Sequence, residues 1–102
     1  MLFRIYSAYR AEISLVTQKS LEEIEALLNR ELPKISQKSD LILSGPVFDG
    51  IVKVSGSSKP GVERTITVRI KYNCSERDRD TVRDLIAREF YLLCEREEIG
   101  LR

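Results

Sequence analysis

Apolar and polar positions change their period several times along this chain, and each change marks an element. From Ala11 to Thr17 the sequence reads AEISLVT. Ile13, Leu15 and Thr17 fall on one side and Ser14 and Val16 on the other, the two-residue period of a strand. The residues before it, with Tyr6 and Tyr9, have the same β-branched and aromatic character and form a lead-in strand or a turn. At Ser20 the period lengthens. Leu21, Ile24, Leu27, Leu28 and Leu32 follow helical spacing, which gives one apolar stripe. Ser20 is placed to cap this helix, with Glu23 three residues on to complete a capping box. Pro33 ends the helix or opens a short further turn through Ile35, and SQKSD is a polar connection.

Residues 41–58, LILSGPVFDGIVKVSGSS, are the least charged part of the chain. Gly45-Pro46 punctuates the stretch, and a strand is expected over about 47–55. Strict alternation puts Val47, Asp49, Ile51, Lys53 and Ser55 on one face and Phe48, Gly50, Val52 and Val54 on the other. The second set is the more apolar and is expected inward, with Gly50 marking a bulge or a close backbone approach. SGSSKPG reads as a hairpin loop, and 62–72 as a half-buried antiparallel strand with Val62, Arg64, Ile66, Val68, Ile70 and Tyr72 on one side. Ser75 is expected to cap a last helix with Glu76 and Asp78 in its first turn and a stripe of Val82, Leu85, Ile86, Phe90, Leu93 and Cys94. EEIGLR has room for a short terminal strand. The order βαββαβ predicts an α+β, ferredoxin-like single domain over 1–102, its core at about 10–101. Its antiparallel sheet would carry both helices on one face.

Charge narrows the function more than it suggests one. Seventeen basic and sixteen acidic residues leave a net charge of +1, which is no clustered cationic footprint for nucleic acid or an anionic membrane. No histidine is present, so the commonest general base and transition-metal ligand are both missing. Cys74 and Cys94 form no CxxC pair and read as free thiols in a reducing compartment. Cys74, just before a helix start, occupies a position that can lower a thiol pKa, whereas Cys94 reads as core. The acidic pairs Glu22-Glu23, Asp78-Asp80 and Glu97-Glu98 fall in solvated segments, unsuited to acid–base work. SGSSKPG lacks the order of a phosphate loop. RNA stacking would rest on Phe48 and Tyr72, and Tyr72 lies on the apolar face. No catalytic, cofactor or metal-binding residue is assigned. No apolar run is long enough to span a bilayer, and MLFRIYSAYR does not read as a signal peptide.

Taken together, three segments resemble the cytoplasmic C-terminal α/β domain of the small-conductance mechanosensitive channel family over about Arg10 to Leu101. RAEISLVTQKSLEEIEALLNREL is similar to that family's strand and T/S-x-x-E-x-I-x-x-L helix. LILSGPVFDGIVKVSGSS is similar to its I-L-x-x-P-x-V-x-x-V-x-x-L-G-x-S-S segment, and VRDLIAREFYLLCEREEIGL to its last helix and ending. The family's usual ending, GI-x-I-P, differs: Gly100 is displaced and no proline follows. The resemblance implies a structural, non-catalytic role on the cytoplasmic side of a membrane, in a cage of several copies through whose portals ions pass without a defined site. It implies no nucleic-acid partner and no membrane contact by this segment. Assembly contacts are expected at Glu98, Ile99, Gly100, Leu101 and Arg102 and at the outward parts of strand 47–55, since an unpaired strand templates pairing with another chain. Lys59, Glu63 and Arg64 are candidate charges facing a vestibule. A stand-alone regulatory module holding a small metabolite is the alternative reading, and a metal-sensing tail domain is disfavoured by the lack of histidine.

Overall fold

A computed structural model describes residues 6–57, 59 and 61–102; the expectations for 1–5, Ser58 and Pro60 lie outside the described residues. The elements are β1 (Tyr6–Thr17), α1 (Leu21–Ile35), β2 (Ile42–Gly56), β3 (Arg64–Ser75), α2 (Arg79–Arg96) and β4 (Gly100–Leu101), with short 3-10 turns at Ser36–Lys38 and Glu76–Asp78. The fold is α+β: one four-stranded antiparallel sheet, ordered β2-β3-β1-β4, and two helices.

β1 and β3 pair residue for residue over twelve positions, from Tyr6 opposite Ser75 to Thr17 opposite Arg64. Their shared pleat puts Tyr9, Ala11, Ile13 and Leu15 opposite Tyr72, Ile70, Val68 and Ile66 on one face. Those residues join Ile24, Leu27, Leu28 and Leu32 of α1 and Val82, Ile86, Phe90 and Leu93 of α2 in a single core. Each fully buried Leu, Ile or Phe contributes about 1.5–3 kcal/mol relative to exposure. The opposite face is polar, with Arg10, Glu12 and Ser14 facing Lys71, Arg69 and Thr67, and a Ser14–Thr67 hydroxyl hydrogen bond of 2.9 Å.

α1 starts as its sequence predicts. The Ser20 hydroxyl accepts from the Glu23 amide at 3.1 Å and donates to its carboxylate at 3.3 Å. Pro33 does not end the helix. It lies in the last turn, Ile35 is buried, and the Pro33 carbonyl accepts from the Ser36 hydroxyl at 2.7 Å. α2 departs further from expectation. Ser75 closes β3 and makes no side-chain cap; α2 begins at Arg79 after a 3-10 turn.

β2 overturns strict alternation. It runs from Ile42, straight through Gly45-Pro46, and matches its fifteen residues to the eleven from Cys74 to Arg64. Four register shifts absorb the difference. Ile42, Phe48, Ile51 and Val54 therefore face the core-side residues Cys74, Ile70, Val68 and Ile66. Ile51 turns inward instead of Gly50, and Val52 is left 42% exposed. Val54 keeps its expected side but is 44% exposed. Bulges of this kind bend and twist a strand. At Gly45 the reason for glycine is direct: φ is +79°, and a Cβ would stand 2.7 Å from the Lys71 carbonyl oxygen.

Candidate assembly surface

The end of α2 fixes where the last residues go. The Ile99 amide donates to the Cys94 carbonyl at 2.8 Å and the Glu98 amide to the Glu95 carbonyl at 3.3 Å. Glu98 itself has φ +56°. This is a Schellman ending, whose left-handed residue is usually glycine and whose next residue makes an apolar contact with the helix. Here Ile99 and Cys94 are both buried, so Ile99 anchors the chain and is not an available contact.

Beyond that anchor β4 pairs with β1 at only two positions, Leu101 opposite Leu15 and Gly100 opposite Val16. The Arg102 amide adds a bond to the Ser14 carbonyl at 3.1 Å, and its guanidinium donates to the Thr65 hydroxyl at 3.0 Å. Leu101 is 41% exposed and Tyr91 of α2 58% exposed. Together with Cys94 and Ile99 they line a shallow groove of about 340 Å³. The terminal strand thus completes its own sheet on one side, and among the described residues nothing pairs with its other edge.

Ser14 turns its carbonyl toward β4, and backbone groups alternate along a strand. Those of Ala8, Arg10 and Glu12 therefore point the same way, into a lane that no described strand fills. The other border of the sheet is different. β2 carries four register shifts, Pro46 and Lys53, devices that discourage pairing at an edge. Its outward Leu43 and Val47 are exposed nonetheless.

The three candidate vestibule charges are not equivalent. Lys59 and Glu63 are exposed. Arg64 is half-buried and donates to the Lys19 carbonyl at 3.0 Å, tying β3 to the turn before α1, and its Nε has no hydrogen-bond partner. Glu63 shares a polar cleft of about 450 Å³ with Glu23, Glu97, Glu98 and Lys19, where Lys19 and Glu97 lie 3.9 Å apart. The cleft is acidic, and its carboxylates are wholly or partly exposed. Among the described residues no group of three histidine, cysteine or carboxylate side chains is arranged to hold a metal.

Both cysteines are buried, free thiols. Cys74 belongs to β3, not to a loop, and burial, aided by the Asp78 carboxylate, pushes its thiol up instead of down. Burial raises Cys94 to about 11. Tyr72 is buried beside Tyr9, ring centroids 5.7 Å apart, and Phe48 faces Ile70, so neither ring reaches the polar face. One cluster was not foreseen. Asp49, lifted by the bulge between Phe48 and Ile51, bridges Arg10 at 3.7 Å and Lys71 at 3.6 Å, two cations that sit directly opposite each other. Outward placement of Asp49 was legible in the sequence, but its partners depend on register. No helix among the described residues is long and apolar enough to cross a membrane. The chain matches no known family model, no curated protein and no solved structure.

Proposed function

We propose that the chain is a non-catalytic assembly domain of ferredoxin-like architecture, its two helices on one face. In this reading it contributes to an oligomeric cytoplasmic cage of the kind found in small-conductance mechanosensitive channels. The observation that carries the assembly reading is the terminal strand: two paired residues, an open outer edge, and exposed Leu101 and Tyr91 beside it. Open edges and exposed apolar residues are where a further chain adds. The architecture is supported by the strand order β2-β3-β1-β4 and by one core shared by both helices.

Gly100, Leu101 and Arg102 are the contacts this reading assigns, with Glu98 and Ile99 shaping and anchoring the approach. Lys59 and Glu63 are the charges best placed to meet passing ions. Native mass spectrometry of the chain over micromolar to millimolar concentration tests the assignment. Oligomers larger than a dimer are expected, and Leu101→Asp is expected to dissociate them while the far-UV spectrum stays unchanged. An oligomer mass indifferent to Leu101→Asp, or nothing larger than a dimer at any concentration, overturns it.

A further inference from the structure

The open lane along β1 has a property that the terminal strand does not. Residues 9–13 read Tyr-Arg-Ala-Glu-Ile. Laid antiparallel against itself about Ala11, this segment sets Arg10 opposite Glu12 and Glu12 opposite Arg10, on the polar face. On the core side it sets Tyr9 opposite Ile13 and Ala11 opposite Ala11. A two-fold contact requires this self-complementarity, since each residue meets its counterpart's partner. Cross-strand pairs of opposite charge and of aromatic with β-branched residues both favour pairing.

The backbone agrees with this register. Ser14 presents its carbonyl to the lane, so Ala8, Arg10 and Glu12 present their amides and carbonyls there as well. In the two-fold register Ala8 would exchange bonds with Ser14, and Arg10 with Glu12. The strand is regular, pairing with β3 over all twelve residues without a register shift, and it contains neither glycine nor proline. Glu12 has no ion pair within 4 Å among the described residues, and Arg10, its side chain 69% exposed, has only the 3.7 Å contact to Asp49. Glu12 is free to meet a second copy, and Arg10 is held in the described residues by that one long, exposed contact.

We propose that the free domain dimerises by pairing β1 with β1 of a second copy about a two-fold axis at Ala11, joining two sheets into one. The same lane holds β4 at Ser14, Leu15 and Val16, where the second copy would bring Ala8, Ser7 and Tyr6. β4 and the second copy therefore compete, and the dimer forms with Gly100–Arg102 displaced, while Ile99 stays anchored. The short pairing of β4 makes it the weaker competitor. This mode goes beyond the cage reading and does not rest on it. In the cage the terminal strand makes the contact; here it obstructs one.

Sedimentation equilibrium of four chains tests the proposal: the full chain, Glu12→Arg, Arg10→Glu with Glu12→Arg, and the full chain lacking residues 100–102. Glu12→Arg puts like charges opposite each other twice and is expected to weaken dimerisation at least about tenfold. The double reversal is expected to restore it, which a general loss of fold would not do. Removing residues 100–102 is expected to strengthen the dimer, the opposite of what the cage reading expects for loss of its contact strand. Mild oxidation of Ala11→Cys gives a second readout, with covalent dimers expected from Ala11→Cys and none from Ser14→Cys. Equal association of the full chain and Glu12→Arg overturns the proposal. So does a double reversal no better than Glu12→Arg, a weaker dimer on truncation, or no covalent dimer from Ala11→Cys.

Discussion

Replacing Glu98 with glycine is expected to stabilise the protein, although it removes a side chain. Glu98 has φ +56°, a conformation that costs an L-residue about 1–2 kcal/mol. Glycine has no such penalty, but its freer unfolded chain takes back about 0.4–1 kcal/mol. The two hydrogen bonds of the turn, Ile99 amide to Cys94 carbonyl and Glu98 amide to Glu95 carbonyl, belong to the backbone and survive the change. The net gain lies between about 0 and 1.6 kcal/mol, centred on about 0.8 kcal/mol, which is about 3–6 °C in Tm for a domain of this size. Urea titration by circular dichroism measures the first quantity and a thermal melt the second. Glu98 also shares the acidic cleft with Glu23, Glu63 and Glu97, so charge relief is a rival cause. Glu98→Gln separates the two, because it removes the charge and keeps the backbone strain. If Gln stabilises as much as Gly, or if Gly fails to raise the urea midpoint, the conformational argument is wrong.

At Gly45 the opposite result is expected. Gly45→Ala puts a methyl group 2.7 Å from the Lys71 carbonyl oxygen at φ +79° and is expected to cost about 2 kcal/mol or more, read as a lowered urea midpoint at unchanged slope. The thiols are expected to resist a disulfide reagent at pH 8 in the native protein and to react at once in denaturant, since both are buried. Cys94 moves from an ordinary 9.0 to about 11 on folding, so the folded state keeps the proton longer than the unfolded one. Its contribution is complete below about pH 9 and is lost as pH rises through about 11. Cys94→Ala should flatten that alkaline decline in urea midpoints, and an unaltered pH profile would refute the assignment.

The elements with one clean period were legible in the sequence. α1 kept the stripe of Ile24, Leu27, Leu28 and Leu32, and β3 kept its buried alternation from Ile66 to Tyr72. Prediction failed where a second residue decides what a first one does. Ser75 resembles a helix cap, but β3 needs it as the partner of Tyr6, and a 3-10 turn intervenes before α2. Cys74 looked like a thiol placed at a helix start, yet the extension of β3 carries it into the core. Gly45-Pro46 looked like a boundary because a regular strand cannot pass through it. A bulged strand can, and Pro46 is buried within it. At the candidate surface the terminal strand was foreseen, but its short pairing with β1, and the lane this leaves open, depend on strand order. Local pattern carries no such information.

The four register shifts of β2 also bear on how this protein tolerates changes in length. In a regular strand, deleting one residue rotates everything beyond it onto the wrong face. β2 already spends four residues without turning its apolar set away from β3, so its spacing is adjustable slack. Loss of one residue at the shift between Phe48 and Ile51 would convert a bulge into regular ladder and leave Ile51 and Val54 facing the core. The same loss from β1 would put out of register every pairing beyond it in an unbroken ladder of twelve. Insertions and deletions among natural variants should therefore accumulate along β2, in the middle of the sheet's primary structure, and be rare in β1 at its geometric centre.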